Sequence, residues 1–289
     1  MVYNVPEKGR NSTLMAYYPS RHFPTVSVTG SKCQLGCAHC EGYYLQGMLS
    51  AETPDELRNL AVELQERKCV GFLLSGGCDR NANVPLGGFA SAISEIKRNT
   101  GLKVSVHPGL INEDEAADLV EAGVDVFCVD IVQDPGVIED VLGLKVGPKA
   151  YEDTLAALFR AGAKHVVPHI TTGLAGDSDV GEMKAIDLVA RFDISSLALL
   201  SFIPTSGTRM ARSPVVSDEH FLKIVDYAVK KVSCPVTLGC MRPRGNPDLE
   251  LRCFNAGIAG IAVPSRETVK SLESIGVAIE KKEVCCSFL

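Results

Sequence analysis

The sequence predicts an α/β fold, a TIM-type (β/α)8 barrel that is complete or partly open. Short β-branched runs alternate with amphipathic helical segments from about residue 24 onward, and the alternation repeats eight times. A chain of 289 residues is long enough for one such barrel, and its 46% of hydrophobic residues can supply the core. A doubly wound open sheet uses the same alternation, but the count of eight units favours the barrel.

Eight segments are predicted to be strands because they are short, apolar and rich in β-branched residues. They are Thr25–Thr29, Gly71–Ser75, Lys103–His107, Asp125–Ile131, Lys164–Ile170, Ser196–Ile203, Pro235–Gly239 and Ile258–Val263. Thr53, Asn112 and Ser217 are candidate helix N-caps, since proline or acidic residues follow each of them. Three helices are expected to end at Ala-Gly pairs, where glycine takes the left-handed conformation: 122–123, 161–162 and 256–257.

The barrel is expected to span residues 24–275, with additional segments at both ends. Residues 1–23 form an N-terminal extension and residues 276–289 a C-terminal tail. This tail is long enough to fold over the mouth of the barrel, where the carboxyl ends of the strands meet. No stretch of the sequence has the composition of an interdomain linker, so a single barrel domain is expected.

Charge and composition argue against several classes of function. The chain has 29 Lys and Arg against 35 Asp and Glu, a net charge of −6, and it lacks long basic runs. Nucleic acid and anionic membranes are therefore not expected as partners. No apolar run approaches the ~20 residues of a membrane-spanning helix, and the first residues do not resemble a signal peptide. We expect a cytoplasmic protein whose eleven cysteines are metal ligands rather than disulfides.

The strongest chemical signal is a C-x3-C-x2-C motif formed by Cys33, Cys37 and Cys40 in the loop after the first predicted strand. Three thiolates this close together can hold three irons of a [4Fe–4S] cluster and leave the fourth iron open to a small molecule. The loop lies at the carboxyl mouth of the barrel, where barrel enzymes build their active sites. The alternative is zinc, which usually takes four ligands in two spaced pairs.

This motif, with His39 before its third cysteine, resembles that of the radical S-adenosylmethionine superfamily, and the resemblance extends over nearly the whole barrel. It implies a [4Fe–4S] cluster that binds S-adenosylmethionine and cleaves it reductively to a 5′-deoxyadenosyl radical. Gly76 and Gly77 would then meet the methionine amino group and Asp130 the ribose. Ile203, in an apolar segment after the sixth strand, would cover the adenine. A tight turn and ordinary barrel core are the alternatives for the glycines and for Ile203.

Two histidines also end predicted strands on the active-site face. His107 ends the third strand and His169 lies near the end of the fifth. Because side chains at the carboxyl ends of barrel strands tend to serve the site, we expect one of them to line the S-adenosylmethionine pocket. The alternative is a buried core histidine.

Further cysteines are expected at the mouth. Cys78 follows Gly77, Cys240 follows the seventh strand, and Cys285 and Cys286 lie in the tail. Their convergence predicts a second [4Fe–4S] cluster, with a frayed tail carrying surface thiols as the alternative. The other four cysteines are expected to pack as small hydrophobic side chains: Cys69, Cys128, Cys234 and Cys253.

A second cluster near the radical centre can supply sulfide to a substrate carbon radical. The segments 23–30 and 43–48 around the motif resemble a biotin-synthase-related group that includes the first-subunit type of two-component lipoyl synthases. This resemblance implies sulfur insertion into an octanoyl-lysine peptide or lipoyl-carrier protein. It also implies a second radical protein and an electron donor such as ferredoxin or flavodoxin.

The sequence departs from single-chain lipoyl synthase in two respects. No cysteine precedes Cys33, and the C-terminal Arg-Ser-Ser-Tyr is absent. Two alternatives therefore stay open. One is a radical methylase or other cofactor-building enzyme without a sacrificial cluster, and the other is a non-enzymatic iron–sulfur or zinc scaffold.

Overall fold

In the computed structural model, which describes residues 12–288, eleven parallel strands form one curled sheet. The strands are β1 (Thr13–Tyr17), β2 (Thr25–Ser27), β3 (Leu49–Ser50), β4 (Gly71–Ser75), β5 (Lys103–Val106), β6 (Val126–Asp130), β7 (Val166–Thr172), β8 (Leu197–Ser201), β9 (Val236–Leu238), β10 (Gly260–Ala262) and β11 (Ala278–Lys282). Their order in the sheet is β11-β1-β10-β9-β8-β7-β6-β5-β4-β2-β3.

Eight α-helices cover the outer face of this sheet. They are α1 (Pro54–Glu66), α2 (Ala90–Asn99), α3 (Glu113–Glu121), α4 (Lys149–Arg160), α5 (Val180–Val189), α6 (Asp218–Lys231), α7 (Pro247–Ala256) and α8 (Arg266–Ser274). Among residues 12–288, none of these helices combines the length and the hydropathy required to traverse a bilayer.

The predicted partly open barrel is confirmed as a half-barrel. The eight predicted strands correspond in order to β2 and β4 to β10. β10 pairs with β1 rather than with β2, and β1 pairs with β11, so a seam separates the β2–β3 edge from the β1–β11 edge. The N-terminal extension and the tail thus each contribute a strand that the sequence did not predict.

The predicted helix boundaries have clear physical causes. Thr53 caps α1 by accepting the backbone N–H of Glu56, whose side chain accepts the Thr53 N–H in return. Asn112 caps α3 with the same reciprocal pair, and Ser217 caps α6. The glycines of the three predicted Ala-Gly pairs all have positive φ, as expected for residues just past a helix end.

Alternate residues of each strand face either the helices or the interior of the half-barrel. Phe72, Val104 and Phe127 pack in the main core beneath the helices. The neighbouring positions face inwards, and several of their side chains are small: Ser105, Cys128, Ala198 and Thr237. These small side chains leave space inside the half-barrel.

The C-terminal tail fills this space. Cys286 and Phe288 pack with Cys128, and the ring centroid of Phe288 lies 5.3 Å from that of Phe23 and 5.4 Å from the Nζ atom of Lys103. Phe23 precedes β2 and Lys103 begins β5. The tail therefore lies at the end of the half-barrel where the strands begin, opposite the mouth. This corrects the expectation that the tail covers the mouth: its apolar side chains gain more by filling the interior than by lying on the surface.

Candidate functional site

The cysteine motif lies in a loop between β2 and β3 that three other segments hold in place. The Gln34 N–H donates to the Cys78 carbonyl at 2.8 Å, and the Ala38 N–H donates to the Val141 carbonyl at 2.7 Å. Arg209 donates to the Glu41 carboxylate at 2.9 Å and to the Gly36 carbonyl. These contacts fix the backbone that carries the three thiols.

Gly77 lets this loop pass close to the end of β4. A Cβ atom at Gly77 would lie 2.0 Å from the Lys32 carbonyl oxygen and 2.6 Å from the Cys33 Cα atom. The Gly77 N–H also donates to Thr29 Oγ1 at 2.7 Å. Any larger residue would push the cysteine loop away, so the close backbone approach accounts for this glycine.

A cavity of about 1080 Å³ opens at the carboxyl mouth, and we call it the mouth cavity. It brings together eight residues singled out in the sequence: Cys33, Cys37, Cys40, His39, Gly76, Gly77, Cys78 and Asp130. Its other walls are largely apolar and include Leu142, Leu144, Tyr151, Leu200 and Met241, which sequence reasoning missed. In the sequence these residues show only an apolar pattern, which does not distinguish them from core residues.

The thiols at the mouth cavity are electrostatically linked. The sulfur atoms of Cys37 and Cys40 and a ring nitrogen of His39 all lie within 4.8 Å of one another. The pKa of Cys40 is lowered because the Cys37 thiol donates a hydrogen bond to it and His39 lies beside it. The same hydrogen bond, together with burial, raises the pKa of Cys37. Three converging thiols, one of them readily deprotonated, fit the ligand set of an iron–sulfur cluster with one open iron.

Asp130 projects into the same cavity from the end of β6. Burial raises the pKa of its carboxyl group, while His169 and His39 act in the opposite direction. The Nδ1 atom of His39 is buried and has no hydrogen-bond partner among residues 12–288. Two polar groups on this wall are therefore available to a ligand with hydroxyl or amine groups.

His107 and His169 are not among the residues that line the mouth cavity. Their ring centroids are 4.8 Å apart, and His169 Nδ1 donates to the Val167 carbonyl at 3.0 Å. Burial lowers the pKa of each to about 4, so both rings are neutral at pH 7. Ile203 also lies outside the lining of this cavity. The expected cofactor contacts of these three residues stay predictions.

A second cavity of about 980 Å³ lies at the seam, and we call it the seam cavity. Cys240, Cys285 and Cys286 line it. The thiol of Cys128 lies close enough to those of Cys285 and Cys240 to interact with them electrostatically. The pKa of Cys285 is lowered to about 6 because the neighbouring Cys286 thiol donates to it. The thiols of the tail thus lie near that of Cys128 on β6 and that of Cys240 in the loop after β9, inside the half-barrel.

The structure divides the four cysteines expected to share a cluster. Cys78 lines the mouth cavity and interacts with Cys33 and Cys40, because the turn after Gly77 passes beneath the cysteine loop. This corrects the expected grouping of Cys78 with Cys240 and the tail. Cys128, assigned to packing from the sequence, instead lies beside the seam thiols, and its inward orientation on β6 was the available signal.

Buried hydroxyl groups accompany the seam thiols. The hydroxyls of three inward-facing residues are buried without a hydrogen-bond partner among residues 12–288: Tyr17, Ser105 and Thr237. Buried polar groups are nearly always satisfied by protein, water or a bound group. A polar or metal-containing occupant of the interior would satisfy them.

A buried ion pair fixes the loop that carries Cys240. Arg242 donates to the Gly239 carbonyl at 2.9 Å, to the Ala262 carbonyl at 2.7 Å and to the Glu250 carboxylate at 2.6 Å. The side chains of Arg242 and Glu250 are 3% and 5% exposed. Because Arg242 joins the carboxyl ends of β9 and β10, it holds Cys240 at the boundary of the seam cavity.

Comparisons with known proteins agree with this geometry. A sequence profile of the radical SAM superfamily matches residues 27–189, more than half of the chain. A biotin synthase from Halorhodospira halophila (strain DSM 244 / SL1) is 23% identical over 290 residues, covering 91% of this chain and 85% of that protein. A biotin synthase from Brucella canis (strain ATCC 23365 / NCTC 10854 / RM-666) is 24% identical over 250 residues, covering 80% and 72%.

Two solved structures share the fold. Methylornithine synthase is 16% identical with a TM-score of 0.63, covering 93% of this chain and 84% of its own. The FeFe-hydrogenase maturase from Carboxydothermus hydrogenoformans is 14% identical with a TM-score of 0.65, covering 95% and 70%. At these identities the likeness concerns the architecture of the half-barrel.

Proposed function

The chain belongs to the radical SAM superfamily, and from this premise we propose that it inserts sulfur at an unactivated carbon of protein-bound octanoyl-lysine. The reaction would serve lipoyl cofactor synthesis. A second radical SAM protein would share the two sulfur insertions, and a ferredoxin or flavodoxin would supply electrons. The similarity to biotin synthases supports a sulfur-inserting enzyme in general.

The mouth cavity supplies the ligands for the radical chemistry. Cys33, Cys37 and Cys40 would hold a [4Fe–4S] cluster, which would supply the electron for reductive cleavage of S-adenosylmethionine to a 5′-deoxyadenosyl radical. The protein itself orients the cofactor and excludes water. Gly76, Gly77 and Asp130 line this cavity. The two glycines would meet the methionine end, and Asp130 would accept hydrogen bonds from ribose hydroxyls.

The observation that carries the sulfur-insertion proposal is the group of thiols inside the half-barrel. Cys128, Cys240, Cys285 and Cys286 lie together, apart from the four cysteines that line the mouth cavity. They would hold a second [4Fe–4S] cluster, whose sulfide is the sulfur source. Cys240 lines the seam cavity and its neighbour Met241 lines the mouth cavity, so the source of sulfur would lie next to the radical.

The test is an anaerobic measurement of metal content and product with the reconstituted full chain. We expect about eight irons per chain, corresponding to two [4Fe–4S] clusters. With reductant, S-adenosylmethionine and an octanoyl-lysine carrier, 5′-deoxyadenosine and a thiolated carrier should both form. About four irons with methylated or otherwise unthiolated product would favour the methylase alternative. Failure to cleave S-adenosylmethionine would favour the scaffold.

A further inference from the structure

The rim of the seam cavity is basic. Arg21 and Arg67 line it and are exposed to solvent. Lys68 and Lys103 lie along the same edge of the half-barrel, because the Val70 N–H donates to the His22 carbonyl and the Lys103 N–H to the Val70 carbonyl. We call these four residues, Arg21, Arg67, Lys68 and Lys103, the basic rim.

The basic rim gathers four cations on one edge of a chain whose net charge is −6. Among residues 12–288, none of the four forms an ion pair, whereas some exposed cations elsewhere do, as Arg58 does with Glu95 and Arg160 with Glu113. Unpaired cations gathered at the entrance of the seam cavity produce a local positive field that attracts an anionic partner.

Behind the rim the cavity becomes apolar. Phe23, Pro24, Leu49 and Leu73 form its walls, and Cys240, Cys285 and Cys286 lie at its inner end. The apolar walls suit a hydrocarbon chain better than a compact polar substrate.

We propose that the seam cavity binds the acyl chain of a carrier protein and that an acidic surface of the carrier, next to its acylated lysine, docks on the basic rim. This inference rests on the proposed function and adds the substrate's route and the partner's chemistry. The chain enters at the seam, from the N-terminal side of the half-barrel, while S-adenosylmethionine occupies the mouth cavity. The two meet where Cys240 and Met241 separate the cavities.

The physical roles of rim and walls are distinct. Carboxylates on the carrier pair with guanidinium groups in two-pronged hydrogen bonds, which fix the orientation of the docked protein. Long-range attraction raises the association rate and weakens as salt screens it. The apolar walls then bind the hydrocarbon itself, independently of salt. Docking and chain insertion should therefore respond to different substitutions.

The docking test measures the affinity of the reconstituted full chain for an octanoylated carrier protein. The variant combines Arg21→Glu and Arg67→Glu, and the matched control combines Arg266→Glu and Lys270→Glu, two exposed cations of α8 with the same change of charge. We expect about tenfold weaker binding for the rim variant, a smaller salt dependence, and wild-type affinity for the control. Equal effects of both pairs would overturn the basic rim as the docking site.

The insertion test compares octanoylated with unmodified carrier. Wild-type enzyme should bind the octanoylated form more tightly, and Leu73→Trp, which fills the cavity, should remove that difference. Leu49→Trp provides a second variant should the first lose its iron. A retained difference in a folded variant would place the acyl chain elsewhere. These binding measurements separate the inference from the proposed function, which fails when no thiolated product forms from either the carrier or a short octanoyl-lysine peptide.

Discussion

The two cavities of the half-barrel obtain their thiols in different ways. The mouth cavity takes Cys33, Cys37 and Cys40 from one short loop, so their spacing in the sequence already implies their proximity. The seam thiols come from a strand, a loop and the C-terminal tail, at positions 128, 240, 285 and 286 of the sequence. The difference shows that a local motif identifies the radical centre, whereas the second group of thiols exists only once the chain is folded.

The two regions also differ in what holds them. The mouth loop is tied by backbone hydrogen bonds to residues 78 and 141. The tail lies inside the half-barrel through side-chain packing, with Phe288 against Phe23. Loss of packing should therefore release the seam thiols before it disturbs the mouth.

The largest expected effect comes from removing the mouth thiols. Replacing Cys33, Cys37 and Cys40 together with Ala should abolish 5′-deoxyadenosine formation and remove about four irons per chain, because the cluster loses all its protein ligands. The triple variant should retain the iron bound by the seam thiols. Cys234→Ala, at a half-buried position outside both cavities, is the control. Cleavage activity that survives in the triple variant would show that the radical centre lies elsewhere.

Removing the tail thiols should separate the two activities. The Cys285→Ala and Cys286→Ala double variant should still form 5′-deoxyadenosine but should give no thiolated carrier, because the radical and the sulfur source occupy different cavities. Iron should fall by about four per chain. Cys78→Ala tests the division between the cavities, since Cys78 lines the mouth cavity and its loss should leave the seam iron in place. Normal thiolation in the double variant would show that the tail cysteines are not needed to hold the source of sulfur.

Deleting the tail would remove its thiols and its packed side chains together. A single substitution at Phe288 removes only the packing. Phe288 is 9% exposed, so Phe288→Ala should lower the free energy of unfolding by about 3 kcal/mol through lost burial and a residual cavity. Thermal unfolding of the metal-free chain measures this. Val62→Ala, at a side chain 55% exposed, should change it by no more than about 0.5 kcal/mol. Equal stabilities of the two variants would mean that the tail contributes little to the core.

The sequence predicted the eight barrel strands and the helix caps because both depend on local patterns. It did not predict β1 or β11, since both lie beside the seam and pair with residues more than two hundred positions away in sequence. Gly77 was identified as a place of close backbone approach, but the approaching backbone is that of Lys32 and Cys33. The position of Cys128 beside the tail depends on how small side chains shape the interior, which no local pattern records.

The smallest expected effect concerns the polar side chains at and beside the mouth cavity. Asp130 lines this cavity, whereas His107 and His169 do not. Asp130→Ala should weaken S-adenosylmethionine binding at least about tenfold, because a hydrogen bond to a charged group contributes about 1.5–3 kcal/mol. His107→Ala and His169→Ala should stay within about threefold of wild type, since neither side chain lines the mouth cavity. Equilibrium binding of the cofactor to the reconstituted variants gives all three values. A loss of cofactor affinity in either histidine variant as large as that for Asp130→Ala would show that the cofactor site extends to that histidine, and that the two cavities are not separate.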